Sequence, residues 1–233
     1  MPNKQLTSRT ARQKPQAGAK MRILNAALDE FARKGVAGAR VANIVKKANV
    51  SQQLLYHYYG SKKRMYRAVI ERIFQITTER CCEDFTDLGE EMNRLYDFAL
   101  EQRAGSRLLF WEAVETNGIH FAGEESRIKL HRFLQSRISL LQSSDRVRTE
   151  LDPGMVAITL MGMAELPLTF PAFVRLTLGM SPDDPRFIMN WKAHMSLIGS
   201  LMSVPETDLH RLVDSSATAE SNRRYEVGVS SAG

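Results

Sequence analysis

The run Ser51-Gln52-Gln53-Leu54-Leu55-Tyr56-His57-Tyr58-Tyr59-Gly60-Ser61-Lys62 gathers two amides, three phenols and an imidazole into twelve residues. A glutamine amide carries a donor beside an acceptor and can pair bidentately with an adenine edge, while tyrosine hydroxyls and a histidine ring suit phosphate oxygens. So many polar aromatics are too numerous for a core seam and too polar for an ordinary surface. The chemistry this points to is recognition of a nucleic acid and not bond breaking. Such side chains are useful only if a helix presents them outward, and the flanking residues supply one. Ser51 is a helix-capping residue, and Val50 and Leu55 are spaced to clasp each other across the first turn. Asn49 tolerates the left-handed backbone needed for a sharp turn.

The preceding elements follow from apolar spacing. Ile23, Leu24, Ala27, Leu28 and Phe31 recur at helical intervals up to Gly35, and Val41, Ile44, Val45 and Ala48 form a second, shorter pattern. After Gly60, Ser61 caps a fourth helix with an apolar face of Met65, Val69, Ile73 and Phe74. Two short helices joined by a tight turn make a helix-turn-helix, whose second helix can enter a DNA major groove. The charge distribution agrees. Residues 1–70 hold fifteen lysines and arginines against two acids, a net +13, and residues 71–233 carry a net −7. A basic module on an acidic body is the footprint of a polyanion binder joined to a unit with another task.

The stretch from Ile23 to Val69 resembles the DNA-binding domain of the TetR family of transcriptional regulators. The resemblance is carried by Ile23-Leu24-Asn25-Ala26-Ala27, Phe31, Gly35, Ile44, Ala48-Asn49-Val50-Ser51 and Leu55-Tyr56-His57-Tyr58-Tyr59-Gly60-Ser61-Lys62. It implies a homodimeric repressor, or less often an activator, that binds a palindromic double-stranded DNA operator and is released by a small-molecule effector. Carried over by position, Ser51 opens the recognition helix. Gln52, Gln53 and Leu54 face bases, Leu54 suiting a thymine methyl, and Tyr56, His57 and Tyr58 face phosphates. Val50, Leu55 and Tyr59 become core. Lys62 matches a phosphate contact, with Lys63 its neighbour. The sequence departs from the family at Ala39, where a capping threonine that touches a phosphate is common, leaving Arg40 to take over by reaching either a phosphate or a guanine edge, or to remain solvated. It also has Asn49 where glycine is usual.

The expected fold is all-α, an N-terminal three-helix helix-turn-helix domain followed by a larger helical ligand-binding and dimerisation domain. Residues 1–19 (with Arg9, Arg12 and Lys14) read as a flexible basic arm and 20–66 as the DNA-binding domain, with helix four connecting over 61–82. Residues 83–204 read as the body and 205–233 as a disordered tail. Within the body, periodicity predicts helices near 88–103, 106–117, 124–143, 153–178 and 184–203, the fourth kinked or broken by Pro167 and Pro171. By the family analogy the last two form the dimer interface, where Trp191, Met195, Ile198 and Met202 make a stripe of interface or core. Phe110, Trp111, Phe121, Met161, Met163, Phe170 and Phe173 are candidates for the lining of an apolar or aromatic effector site, each also readable as ordinary core. Glu112, Asn117, His120, His131 and Glu165 are its candidate polar handles. Glu165, between Ala164 and Leu166, needs a partner, whether an arginine, a dimer mate or a cationic ligand.

Other classes are disfavoured. His120, His131 and His194 lack metal-ligand spacing, and no nucleophile elbow or phosphate-cradling glycine loop occurs, so neither catalysis nor a metal or other cofactor is expected. Cys81-Cys82 cannot form a disulfide framework, and a vicinal disulfide is strained, which leaves two inert thiols as the better reading and a redox switch as the other. The apolar run from Gly154 to Ala164 is too short to span a bilayer, so no membrane partner and a cytoplasmic location are expected. Two alternatives remain for the basic module: a sequence-independent DNA-binding protein, and a ligand-free regulator that works through a protein partner.

Overall fold

The computed structural model describes residues 6–81, 84–115 and 122–205, with side chains from Gly18 onward except Cys81. Among these residues the chain forms ten helices and no strand. A single antiparallel bridge joins Val147 to Ser203. The basic module comprises α1 (Leu6–Gly38), α2 (Val41–Ala48), α3 (Gln52–Tyr59) and α4 (Lys62–Cys81). The periodic residues read from the sequence are the ones buried: Ile23, Ala27, Phe31, Ile44, Leu55 and Met65 share one core with Val69 and Phe74. The segment expected to be a flexible arm is instead helical from Leu6 onward. The helix nucleated by the packed part of α1 continues through alanine-, glutamine- and arginine-containing sequence, although Pro15 and Gly18 within it oppose that extension. Residues 1–5, Cys82, Asn117, His120, Phe121 and the tail from 206 lie outside the described residues.

The body contains α5 (Leu88–Glu101), α6 (Arg103–Glu115), α7 (Glu124–Ser143), α8 (Pro153–Thr169), α9 (Pro171–Leu178) and α10 (Pro185–Met202). Its core joins Leu88, Met92 and Tyr96 to Leu134, Ile138, Leu160 and Met195. Where α5 crosses α10 the backbones nearly touch. A Cβ added at Gly199 would lie 2.9 Å from the Leu88 carbonyl carbon and closer still to the backbone of Gly89. The two regions are not independent, because Leu108 of α6 and Leu130 of α7 belong to the core of the basic module. Gly35 marks this junction. Its backbone turns to φ 65°, and a side chain there would meet Trp111 and Glu115 of α6.

The predicted break after residue 153 falls at Phe170, where α8 and α9 meet at 82°. Pro167 does not break α8. Proline lacks the N–H that would bond to the carbonyl four residues earlier, and the Met163 carbonyl accepts instead from the Trp191 indole of α10 at 3.1 Å. Trp191, Met195, Ile198 and Met202 therefore face the body's core. No single helix among the described residues is long and apolar enough to cross a membrane.

Candidate nucleic-acid interface and cavity

Helix α3 is built to hold one face inward and to offer the other. Ser51 Oγ accepts from the Leu54 amide at 3.1 Å, and the preceding turn passes through Asn49 at φ 51°. Leu55 and Tyr59 anchor the inner face, and Val50 packs beside them. The Tyr59 hydroxyl donates to the Lys20 carbonyl at 3.0 Å, tying α3 to α1, and burial pushes its pKa up to about 12. The outer face presents Gln52, Gln53, Tyr56 and His57, all exposed, with Leu54 and Tyr58 half-buried between them. His57 and Tyr58 meet edge to face. The exposed tyrosine and two exposed glutamines contribute nothing to the core and leave their polar atoms available to a partner outside the chain.

The flanking cations occupy different settings. Lys63 and Arg40 are exposed. Lys62 is half-buried, and its ammonium donates to the Ala37 carbonyl at 3.1 Å, so it closes the end of α1 while keeping further donors. Ser61 caps α4 through the Arg64 amide at 3.2 Å.

Sequence reasoning missed the group that orients α2. Arg40 provides no side-chain cap. Glu30 of α1, buried to 3 % exposure, takes that role: its carboxylate accepts from the Arg40 backbone N–H at 3.2 Å and from the Asn43 side-chain Nδ2 at 2.8 Å. Arg33 and Lys34 complete the cluster. Burial would raise this carboxyl, but the bonds from Asn43, Arg40 and Arg33 and the Lys34 charge outweigh it and hold the pKa near 2. At the other end of α2, Arg22 donates to the Ala48 carbonyl at 3.1 Å. Both helix ends are thus held by α1, as the helix dipole favours: an anion at the N-terminus and a cation at the C-terminus.

In the body, α4, α5, α6, α7 and α8 enclose a cavity of about 200 Å³. Ile73, Phe98, Leu109 and Met161 make apolar walls, while Thr77, Gln102, Ser106, Arg127, His131 and Glu165 supply polar atoms. Arg127 is already committed. It pairs with the buried Glu112, donates to the Ala122 carbonyl at 3.0 Å, and lies 4.7 Å over the Phe74 ring. Burial, then the Glu112 carboxylate, hold the neighbouring Tyr66 phenol well above its ordinary range. Exposed at the rim, His131 is held below its ordinary pKa by desolvation and by Arg127. Glu165 is half-buried and is shifted upward by desolvation against a hydrogen bond from Ser106.

Of the residues singled out for an effector, Met161 and Glu165 line this cavity. Phe110, Phe170 and Phe173 do not. They are 38 %, 48 % and 61 % exposed, and Phe110 packs edge to face on Phe170 outside the cavity. Trp111 sits at the junction with Gly35. Aromatic content alone could not distinguish the inner from the outer face of α6, α8 and α9. Thr77, Gln102 and Ser106 were missed because isolated hydroxyls and amides carry no spacing signal.

Comparison with known proteins adds to this geometry. Residues 23–69 match the family described as bacterial regulatory proteins of the tetR family. The chain is 29 % identical over 160 residues to the HTH-type transcriptional repressor SCO4008 of Streptomyces coelicolor, spanning 69 % of this chain and 83 % of that protein. Over residues 23–69 the chain is thus similar to the tetR family of regulatory proteins. Its relatives are named as transcriptional regulators and repressors, not enzymes. The likeness of fold extends beyond the matched segment. SCO4942 of Streptomyces coelicolor superposes with a TM-score of 0.67 at 24 % identity, covering 79 % of this chain and 98 % of that one. A gamma-butyrolactone receptor superposes with a TM-score of 0.59 at 24 % identity, covering 89 % and 98 %.

Proposed function

We propose that this chain acts as a TetR-family homodimeric repressor that reads a palindromic operator with α3 and releases it when a small, largely apolar or aromatic molecule fills the cavity between α4 and α8. The observation that carries the reading is the outer face of α3, where Gln52, Gln53, Tyr56 and His57 stand exposed on a helix fixed from beneath by Leu55 and Tyr59. Gln52, Gln53 and Leu54 read base edges; Tyr56, His57, Tyr58, Lys62, Lys63 and Arg40 take phosphates. Residues 20–66 form the reading unit and 83–204 the sensing and pairing unit, with work confined to the cytoplasm, where the chromosome lies.

Dimerisation is supported by an apolar face on α8, α9 and α10. Ile158, Leu176, Met189, Leu197 and Leu201 are each more than half exposed, an unusual concentration for a surface left in water. Ligand control is supported by the cavity and by the structural neighbour named as a gamma-butyrolactone receptor. An effector acts only through its preference for one conformation of the dimer. The contact of Gly35 with α6 gives that preference a route, because movement of α6 displaces the end of α1.

Selection of duplexes from a random library by the full-length protein tests the reading. An inverted repeat is expected, and it should lose its consensus when Gln52 and Gln53 are both replaced by alanine. Retention of all sequences equally, with an affinity set by salt alone, would indicate sequence-independent binding and overturn it.

A further inference from the structure

Glu165 is the only carboxylate lining the cavity among the described residues, and its hydrogen-bond partner is the neutral Ser106 hydroxyl. An ionised carboxylate facing largely apolar walls lacks the compensation that water would give it. Among the described residues, the cations lining the cavity are Arg127 and His131. Arg127 lies on the same cavity, but its charge is matched by Glu112 and its guanidinium is seated over Phe74. His131 stands at the rim, with desolvation and the Arg127 charge both favouring its neutral form. Burial likewise favours the neutral carboxyl of Glu165, so a cationic guest is what would give its ionised form a partner in the cavity. Its walls are apolar, with Phe98 among them, and its volume of about 200 Å³ sets the size of the guest. A dry engineered cavity of roughly 150 Å³ accepts a benzene ring, which leaves space here for one ring and a short side arm.

We infer that the cavity selects a protonated organic amine carrying a single ring, with Glu165 as its counter-charge and the Ser106 hydroxyl holding the carboxylate in place. The inference rests on the reading of this cavity as the effector site and names the chemical class that the site takes. The ring displaces solvent from Ile73, Leu109 and Met161, and the ammonium gives Glu165 a charge-assisted partner. An anionic guest of the same shape would face Glu165 without a free cation to offset it.

Calorimetric titration of the full-length protein with 2-phenylethylamine, 2-phenylethanol and phenylacetate at neutral pH tests this, since the three differ chiefly in the charge of the arm. The amine should bind at least about tenfold more tightly than the alcohol, and phenylacetate should bind most weakly. Glu165→Gln should bring the amine to within about threefold of the alcohol. Equal or tighter binding of the alcohol or the acid by the unmodified protein would overturn the assignment, and that comparison needs no variant. A tenfold preference surviving Glu165→Gln would overturn it too. Gly105→Leu, which projects into the cavity beside Ile73, separates this failure from failure of the broader reading. If the alcohol or acid binds best and Gly105→Leu abolishes it, the class is wrong and the cavity stands. If none of the three binds, or if binding survives Gly105→Leu, the cavity assignment falls with it.

Discussion

Replacing Glu30 by glutamine removes a buried charge from the N-terminus of α2 while keeping the size of the side chain. In the folded protein the carboxyl titrates near 2 instead of 4.5. At roughly 1.4 kcal/mol per pH unit, that difference is worth about 3 kcal/mol of stability. Part of it comes from Arg33 and Lys34, whose side chains are 63 % and 40 % exposed and screened by salt, so about 2 kcal/mol is the better expectation. The sign follows from the depressed value. The contribution is complete above pH 4.5 and disappears as pH falls from 4.5 toward 2. Urea denaturation followed by circular dichroism should find Glu30→Gln less stable by about 2 kcal/mol at pH 7. The gap from the unmodified protein should close progressively below pH 4.5, because the unfolded chain takes up a proton there that the folded carboxylate does not accept until about pH 2. A difference below about 0.5 kcal/mol at pH 7, or a gap unaltered by acid, would refute the role given to Glu30. Because α2 carries the turn into α3, affinity for DNA should fall in parallel.

Gln53→Ala should cost about 1–3 kcal/mol of binding to the selected duplex, measured by fluorescence anisotropy, and leave the melting temperature nearly unchanged because the side chain is exposed. Lys63→Ala should weaken binding to all duplexes alike and reduce the salt dependence by about one counterion. Gly199→Ala should lower stability by about 3 kcal/mol or prevent folding, as its methyl would meet the backbone of Gly89; an unchanged thermal melt would contradict the close crossing of α5 and α10. Leu176→Glu combined with Leu197→Glu should give a folded monomer by light scattering, with helicity retained, since both side chains are exposed; a persistent dimer would place the interface elsewhere.

Much of this architecture was legible because its signals are local. Ser51 and Ser61 cap helices within three residues of themselves, Asn49 turns the chain by its own conformation, and the periodic set from Ile23 to Phe31 is buried as its spacing demands. What escaped depends on partners distant in sequence. Glu30 looks like a solvated acid until it meets Arg40 and Asn43, ten and thirteen residues away. Pro167 reads as a breaker until Trp191 satisfies the carbonyl it leaves unbonded. The arm's composition looks disordered when considered alone, but it continues a helix already nucleated by the core. Phe110, Phe170 and Phe173 fall outside the cavity lined by Met161 and Glu165 because apolar residues in this body serve two surfaces, one internal and one facing outward, and composition does not say which. The outward face of α3 was readable because its residue types conflict with burial.

Methylation interference on the selected duplex asks most directly whether that face reads a major groove. Dimethyl sulfate marks guanine N7 in the major groove and adenine N3 in the minor groove, so the positions at which a methyl blocks binding report the side from which the protein approaches. Two symmetric clusters of blocking guanine N7 sites, with centres about one helical turn or a multiple of it apart, are expected. Interference confined to adenine N3, or the absence of any blocking position in a duplex that the protein still binds, would contradict the placement of Gln52, Gln53 and Leu54 against the bases.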